Sequence, residues 1–237
     1  MKDIIKSMKE KEGQEPPKPK PYYVTDEFPQ MKLFDDNYDK ILEELFQVIE
    51  KEKIANEDYE KKSPYDIREK PKNFFEPWCE FNLYEDSRPD GWDVAPMMIN
   101  YKKDEKRCEK VPFLMSLVNQ IPGLITVSFS MLKPGTWIVP HKGYENYATV
   151  LLRYHLGLVI PKGDLGIKVD KKLKVWEVGK SFIFDDALTH EAWNFTDKDR
   201  YVLIIDFARD KDGKFNNEKI EFDICSLTDE IKEFLKA

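Results

Sequence analysis

All three histidines of this chain, His141, His155 and His190, fall within one stretch of about fifty residues. A neutral imidazole nitrogen is a ready ligand for Fe(II), Zn(II) and Cu(II), so such a cluster points first to metal chemistry. His141 sits in P-H-K-G-Y, shortly after Pro134-Gly135, and His190 closes F-D-D-A-L-T-H-E. Arg200 follows ten residues after His190, and a guanidinium presents a planar fork of donors that matches a carboxylate. Two histidines framing a run of apolar segments, followed by a cationic residue, point to a metal site more firmly than one pair of histidines does. A non-haem iron site built from two histidines and one carboxylate would place an acid two positions after the first histidine. That position is Gly143, and Glu145, Asp185 and Asp186 lie nearby at other spacings. On spacing alone the facial triad fails, and each histidine taken singly also fits a hydrogen-bonded core residue. A zinc hydrolase fits poorly, because no third protein ligand accompanies the pair.

The elements that must position these residues are mostly strands. From Leu124 onward, L-I-T-V-S-F-S-M-L, A-T-V-L-L-R-Y-H-L-G-L-V-I, L-G-I-K-V, L-K-V-W-E-V, K-S-F-I-F-D and R-Y-V-L-I-I-D-F-A are short and apolar, and turn residues separate them. Six such segments predict a mainly β fold with flanking helices, a double-stranded β-helix of jelly-roll or cupin-like type. Strand ends in that architecture converge on one mouth, where His141, His190 and Arg200 could meet. Tyr38, Ile41, Leu42, Leu45 and Ile49 predict a helix at about 35–54, capped from Asp35–Asn37. Residues 51–77 are expected to be loop, 78–84 a strand and 112–121 a short helix. A terminal helix is expected at about 226–237. Residues 1–22, with P-P-K-P-K-P, read as a flexible Lys/Pro-rich arm, which leaves 23–237 as a single domain with a β core at about 78–209.

The chain has 237 residues with 38 basic and 45 acidic side chains, a balance of −7 that argues against nucleic acid as the partner. Its N-terminus lacks an apolar signal-peptide core, and no apolar run approaches the ~20 residues that span a bilayer. Cys79, Cys108 and Cys225 are odd in number and widely spaced, which predicts free thiols and a cytoplasmic location. Nothing in the sequence speaks to oligomeric state.

The ordered strings S-x-M-x-x-P-G-T-x-x-x-P-H-x-G, L-R-x-H-L-G-L-V-I-P and W-x-x-G-K-x-x-I-F-D-D-x-x-x-H-E-x-W, followed by Arg200, resemble the aspartyl/asparaginyl β-hydroxylase family over roughly residues 78–209. The resemblance implies an Fe(II)- and 2-oxoglutarate-dependent dioxygenase that uses O2 to hydroxylate an unactivated C–H bond. It also accounts for Gly143, since the family carries glycine there and holds iron with two histidines and water. By the same resemblance His141 and His190 are the iron ligands, and Arg200 pairs with the distal carboxylate of 2-oxoglutarate. Ser130, Arg153, Tyr154, His155 and Trp78 are implied to line the cosubstrate pocket. Asp185 and Asp186 are expected to orient ligands or cap a turn. The implied substrate is an Asp or Asn residue of a protein or peptide. The alternative is a lipid acyl chain, as in the related lipid A and ornithine-lipid 2-hydroxylases, or a small amino acid derivative. A catalytically silent jelly-roll binding module is the reading from another class.

Overall fold

The computed structural model describes residues 19–61, 73–77, 91–143, 150–210 and 212–220. Trp78, the expected strand at 78–84, Glu145, most of the N-terminal arm and the expected helix at 226–237 lie outside these residues. In chain order the strands are β1 (Tyr22–Tyr23), β2 (Glu76–Pro77), β3 (Trp92–Ile99), β4 (Lys102–Lys103), β5 (Leu124–Leu132), β6 (Thr136–His141), β7 (Leu151–Val159), β8 (Leu165–Val169), β9 (Lys172–Lys174), β10 (Ser181–Phe184), β11 (His190–Asn194) and β12 (Arg200–Ala208). The larger sheet runs β1-β10-β7-β12-β5-β3-β2, with β4 also on β3, and the smaller runs β6-β11-β8-β9. Among the described residues the strand pairings within both sheets are antiparallel. This is the expected double-stranded β-helix.

Period-two alternation divides the larger sheet into two chemically different faces. Val127, Phe129, Leu152, Tyr154, Leu156, Leu203, Ile205 and Phe207 point outward into the main core. There they meet Ile41, Leu45 and Val48 of the helix Tyr38–Glu60, and Leu114 of the helix Pro112–Val118. The alternate residues face the smaller sheet. Val202 and Ile204 pack there with Leu165, Ile167, Val169, Trp176, Phe182, Phe184 and Ala192. Ser130, His155, Arg200 and Asp206 are buried polar residues of the same strands, on the alternate positions. A polar row inside an apolar sandwich is where this fold concentrates chemistry.

Several local expectations are corrected. The long helix runs to Glu60, because K-E-K-I-A-N-E-D-Y-E contains neither Gly nor Pro and is rich in good helix formers. Asn37 does not cap it through its side chain, which instead donates to the Leu33 carbonyl. Asp35 is drawn away from capping altogether, as its two carboxylate oxygens accept from the Tyr154 and Ser181 hydroxyls. The shorter helix ends at Val118, and its first turn is capped from a distance by Glu44, whose carboxylate accepts from the Phe113 and Leu114 N–H groups. Tyr22, assigned to the arm, belongs to the sheet through its pairing with Phe184. Strands β3, β6 and β11 were not expected. Pro140 is tolerated in β6 because β6 is an edge strand. Among the described residues no helix is long and apolar enough to cross a membrane.

Candidate active site

His141 is the last residue of β6 and His190 the first of β11, and the two are paired directly across the strands. Their ring centroids are 4.2 Å apart. Each Nδ1 lies 2.8 Å from the backbone carbonyl two residues earlier, Val139 for His141 and Leu188 for His190. A carbonyl only accepts, so both Nδ1 atoms carry the proton and both Nε2 atoms keep a bare lone pair. Burial lowers the proton affinity of both rings, that of His190 to about 4, so both are neutral near pH 7. Two adjacent neutral imidazoles with fixed tautomers suit a divalent metal. Among the described residues no group of three or more His, Cys, Asp or Glu is arranged to hold one.

Asp186 explains what stands in for the missing acid. Its carboxylate is fully buried, and Oδ1 lies 3.4 Å from His190 Nε2. A Cβ built on Gly143 would overlap that carboxylate, and the Gly143 N–H donates to the Asp186 carbonyl at 2.9 Å. The space that an acidic side chain at 143 would enter is thus filled by an acid from the β10–β11 connection. Arg153 anchors it through Nη1 at 2.6 Å, while Nε and Nη2 form a fork on Asp206 at 2.7 and 2.9 Å. Burial pushes the Asp206 carboxyl up, and the Arg153 guanidinium opposes that rise. Asp185 instead accepts from the Ala187 N–H and caps the turn.

Deeper on the same inner face lies a set of donors without acceptors. Arg200 is 2% exposed, and no described carboxylate pairs with it. Its Nη1 reaches Ser130 Oγ at 3.5 Å, its Nε has no partner, and its guanidinium lies over the Trp176 ring at 4.7 Å. Desolvation lowers its proton affinity to about 9, so it remains a cation at neutral pH. Ser130 accepts from Trp92 Nε1 at 2.9 Å and from Arg200, which leaves its own hydroxyl hydrogen to donate. His155 accepts from Trp176 Nε1 at 3.2 Å, and its buried Nε2 has no partner. Buried donors left unmade cost stability, so a cation and two neutral donors converging on one space define a receptor for an anion, and a carboxylate fits it. Burial, then Arg153, Arg200 and His190, all lower the proton affinity of His155, and the Phe184 ring contacts both His155 and His190.

The structure thus brings His141, His190, Ser130, Arg153, His155 and Arg200 to one inner face. It does not bring Tyr154 there. Strand alternation turns Tyr154 to the opposite face of β7, where its hydroxyl donates to Asp35 at 2.6 Å, and this corrects its assignment to the pocket. Sequence reasoning did not single out Trp92, Trp176 or Asp206. Trp92 lies between the expected strand at 78–84 and the expected helix at 112–121, and the other two read as ordinary strand residues.

The family model for aspartyl/asparaginyl beta-hydroxylase matches residues 35–210. Ornithine lipid ester-linked acyl 2-hydroxylase of Rhizobium tropici is 44% identical over 109 residues, 45% of this chain and 38% of that protein. Human aspartyl/asparaginyl beta-hydroxylase is 33% identical over 145 residues, 59% of this chain and 18% of its own length. The match therefore spans well under half of either relative. An oxidoreductase of the 2OG-Fe(II) oxygenase family from Burkholderia pseudomallei superposes loosely, with a TM-score of 0.37 at 10% identity over 55% of this chain and 73% of the other. The family match covers the long helix, every strand except β1, and every described residue of the paired-histidine and anion sites: the chain belongs to the aspartyl/asparaginyl β-hydroxylase family of hydroxylases.

Proposed function

We propose that this chain is an Fe(II)- and 2-oxoglutarate-dependent dioxygenase that hydroxylates a methylene next to a carbonyl carbon. The observation that carries the reading is the buried Arg200, paired with no carboxylate among the described residues and set on the same inner face as two histidines whose Nε2 lone pairs are bare. The site's chemistry fits both groups. His141 and His190 would hold the metal, and Arg200, with Ser130 and His155, would hold the far carboxylate of the cosubstrate. Iron, when bound, supplies dioxygen activation coupled to oxidative decarboxylation of 2-oxoglutarate. The protein's own part is positional and electrostatic. Backbone carbonyls fix the imidazole tautomers, Asp186 places a carboxylate beside the His190 Nε2, and the apolar wall of Phe182, Phe184 and Ile204 excludes water.

The two relatives named above share a bond type. The β-carbon of Asp or Asn is attached to the side-chain carbonyl, and the 2-carbon of an ester-linked acyl chain is attached to the ester carbonyl. We take the first as the substrate on the strength of the family match. The second reading, a lipid acyl chain, is favoured by the higher identity to the lipid enzyme. Anaerobic Fe(II) and 2-oxoglutarate should together give the weak visible charge-transfer band of the chelate. Under air, succinate release should rise with either an Asp/Asn peptide or an ornithine lipid, and His141→Ala and His190→Ala should abolish it. No band and no succinate from the wild-type chain would reject the dioxygenase reading. Stimulation by one substrate alone would decide between the two.

A further inference from the structure

We infer that Trp176 is a positioning residue of the anion pocket, whose indole N–H holds His155 in the tautomer that presents Nε2–H to the ligand while its ring backs the Arg200 guanidinium. The role for the ligand rests on the proposed function, but the tautomer does not.

The geometry carries each half separately. An indole nitrogen only donates, so the 3.2 Å contact from Trp176 Nε1 makes His155 Nδ1 an acceptor. The two rings lie at 18° to one another with centroids 6.1 Å apart, which is the side-by-side, nearly coplanar arrangement an in-plane lone pair demands. A neutral imidazole with an unprotonated Nδ1 carries its hydrogen on Nε2. Burial and the cations around it keep His155 neutral. The resulting Nε2–H is buried and has no acceptor, so it is aimed at something that arrives. The chain's other two histidines have the opposite tautomer, because carbonyls hold their Nδ1 hydrogens. Partner chemistry thus sorts three identical side chains into two lone-pair donors for a metal and one hydrogen donor for an anion.

The second half concerns Arg200. Its Cζ lies 4.7 Å from the centre of the Trp176 ring, within range of a cation–π interaction. The ring supplies partial compensation for a buried cation without occupying its hydrogen-bonding edge. A carboxylate at that position would have neutralised Arg200 and closed the pocket to an incoming anion. Trp176 follows β9, is 2% exposed, and lies between Val175 and Val178, which are 48% and 54% exposed. The chain therefore turns this one large side chain inward while its apolar neighbours stay in solvent.

The test uses the full chain, metal-free, with ring-15N histidine, at pH 7.5. Two-bond proton–nitrogen correlation should show two Nδ1–H rings and one Nε2–H ring, the latter assigned to His155 by loss in His155→Asn. A His155 ring protonated at Nδ1, or doubly protonated, overturns the proposal. Trp176→Phe keeps a ring and removes the donor. It should mix the His155 tautomers and raise the half-saturating 2-oxoglutarate concentration about ten-fold, the scale of one hydrogen bond to an ion, with kcat within about two-fold. Trp176→Met, which also lacks a donor, serves if the Phe variant does not fold. A pure Nε2–H pattern with unchanged 2-oxoglutarate demand in the folded variant also overturns the proposal, since a merely structural Trp176 would move stability and not the tautomer. If the wild type shows the expected pattern but forms no succinate, the inference on the tautomer holds and the proposed function fails.

Discussion

Gly143 offers the sharpest test of the site, because the structure gives a steric reason for glycine and no conformational one. Its φ is not in the left-handed region, where an L side chain is strained, so the backbone there would accept alanine. The obstacle is Asp186, whose carboxylate occupies the place a Cβ would take. Backbone retreat is opposed by the 2.9 Å bond from the Gly143 N–H to the Asp186 carbonyl, which ties the two segments together. In Gly143→Ala the carboxylate must therefore leave its 2.6 Å contact with Arg153 Nη1. Removing one partner of a buried ion pair costs about 3–5 kcal/mol. Arg153 keeps its fork on Asp206, so the cost should fall near or below the lower end, about 2–3 kcal/mol. For a chain of this size that is a fall in Tm of roughly 5–10 °C.

The double-mutant cycle makes the reasoning refutable. Asp186→Ala removes the obstructing atoms, and in that background Gly143→Ala should be neutral or stabilising by up to about 1 kcal/mol, through reduced freedom of the unfolded chain. The cost of one methyl group should thus vanish or reverse, giving a coupling of about 2–4 kcal/mol by denaturant or thermal unfolding of the metal-free protein. An equal cost in both backgrounds would show that glycine serves the backbone, and the account of Asp186 as the acid standing in for residue 143 would fall. Gly143→Asp combined with Asp186→Gly then returns a carboxylate from the other strand. Mn(II) affinity read by EPR should be higher in this exchange than in Gly143→Asp alone, where two acids compete for one space.

The remaining expectations concern the buried charges. Arg200→Met should stabilise the ligand-free protein by about 1–2 kcal/mol, since it replaces a buried cation that lacks a carboxylate, while raising 2-oxoglutarate demand at least ten-fold. A loss of stability in thermal melts would show that Arg200 has a compensating partner. His190 has a folded-state proton affinity lowered from 6.5 to about 4, so its contribution is fully present above pH 6.5 and is lost as pH falls toward 4, and His141 and His155 act in the same sense. The metal-free protein should weaken by about 3 kcal/mol from His190 alone over that window, with Asp206 opposing at the acid end. His190→Asn should flatten that part of the curve. Tyr154→Phe leaves the half-buried Asp35 without one of its two hydroxyl donors and should cost about 1–2 kcal/mol of stability with unchanged 2-oxoglutarate saturation. A shift in saturation would return Tyr154 to the pocket.

These expectations also mark which parts of the site were legible in the chain. His141, His190 and Arg200 stood out because ligating and cationic residues are rare inside apolar strands, and a rare residue in a regular pattern carries information. Arg153 and His155 could be separated from Tyr154 by alternation alone, since L-R-Y-H-L in a strand sends its second and fourth residues to one face and its third to the other. The histidine strands themselves were obscure. T-W-I-V-P-H contains a proline that only an edge position excuses, and edge position is a property of the sheet and not of the segment. Asp35 and Glu44 look like helix residues, yet each serves a partner 119 or about 70 positions away. Trp176 was hidden for a different reason. A tryptophan beside valines reads as core, which it is, and its second role depends on which atom its N–H meets. A core residue becomes part of a site when its one polar atom decides the protonation of a group facing the ligand, and hydropathy patterns are blind to that decision because they count the ring and ignore the hydrogen.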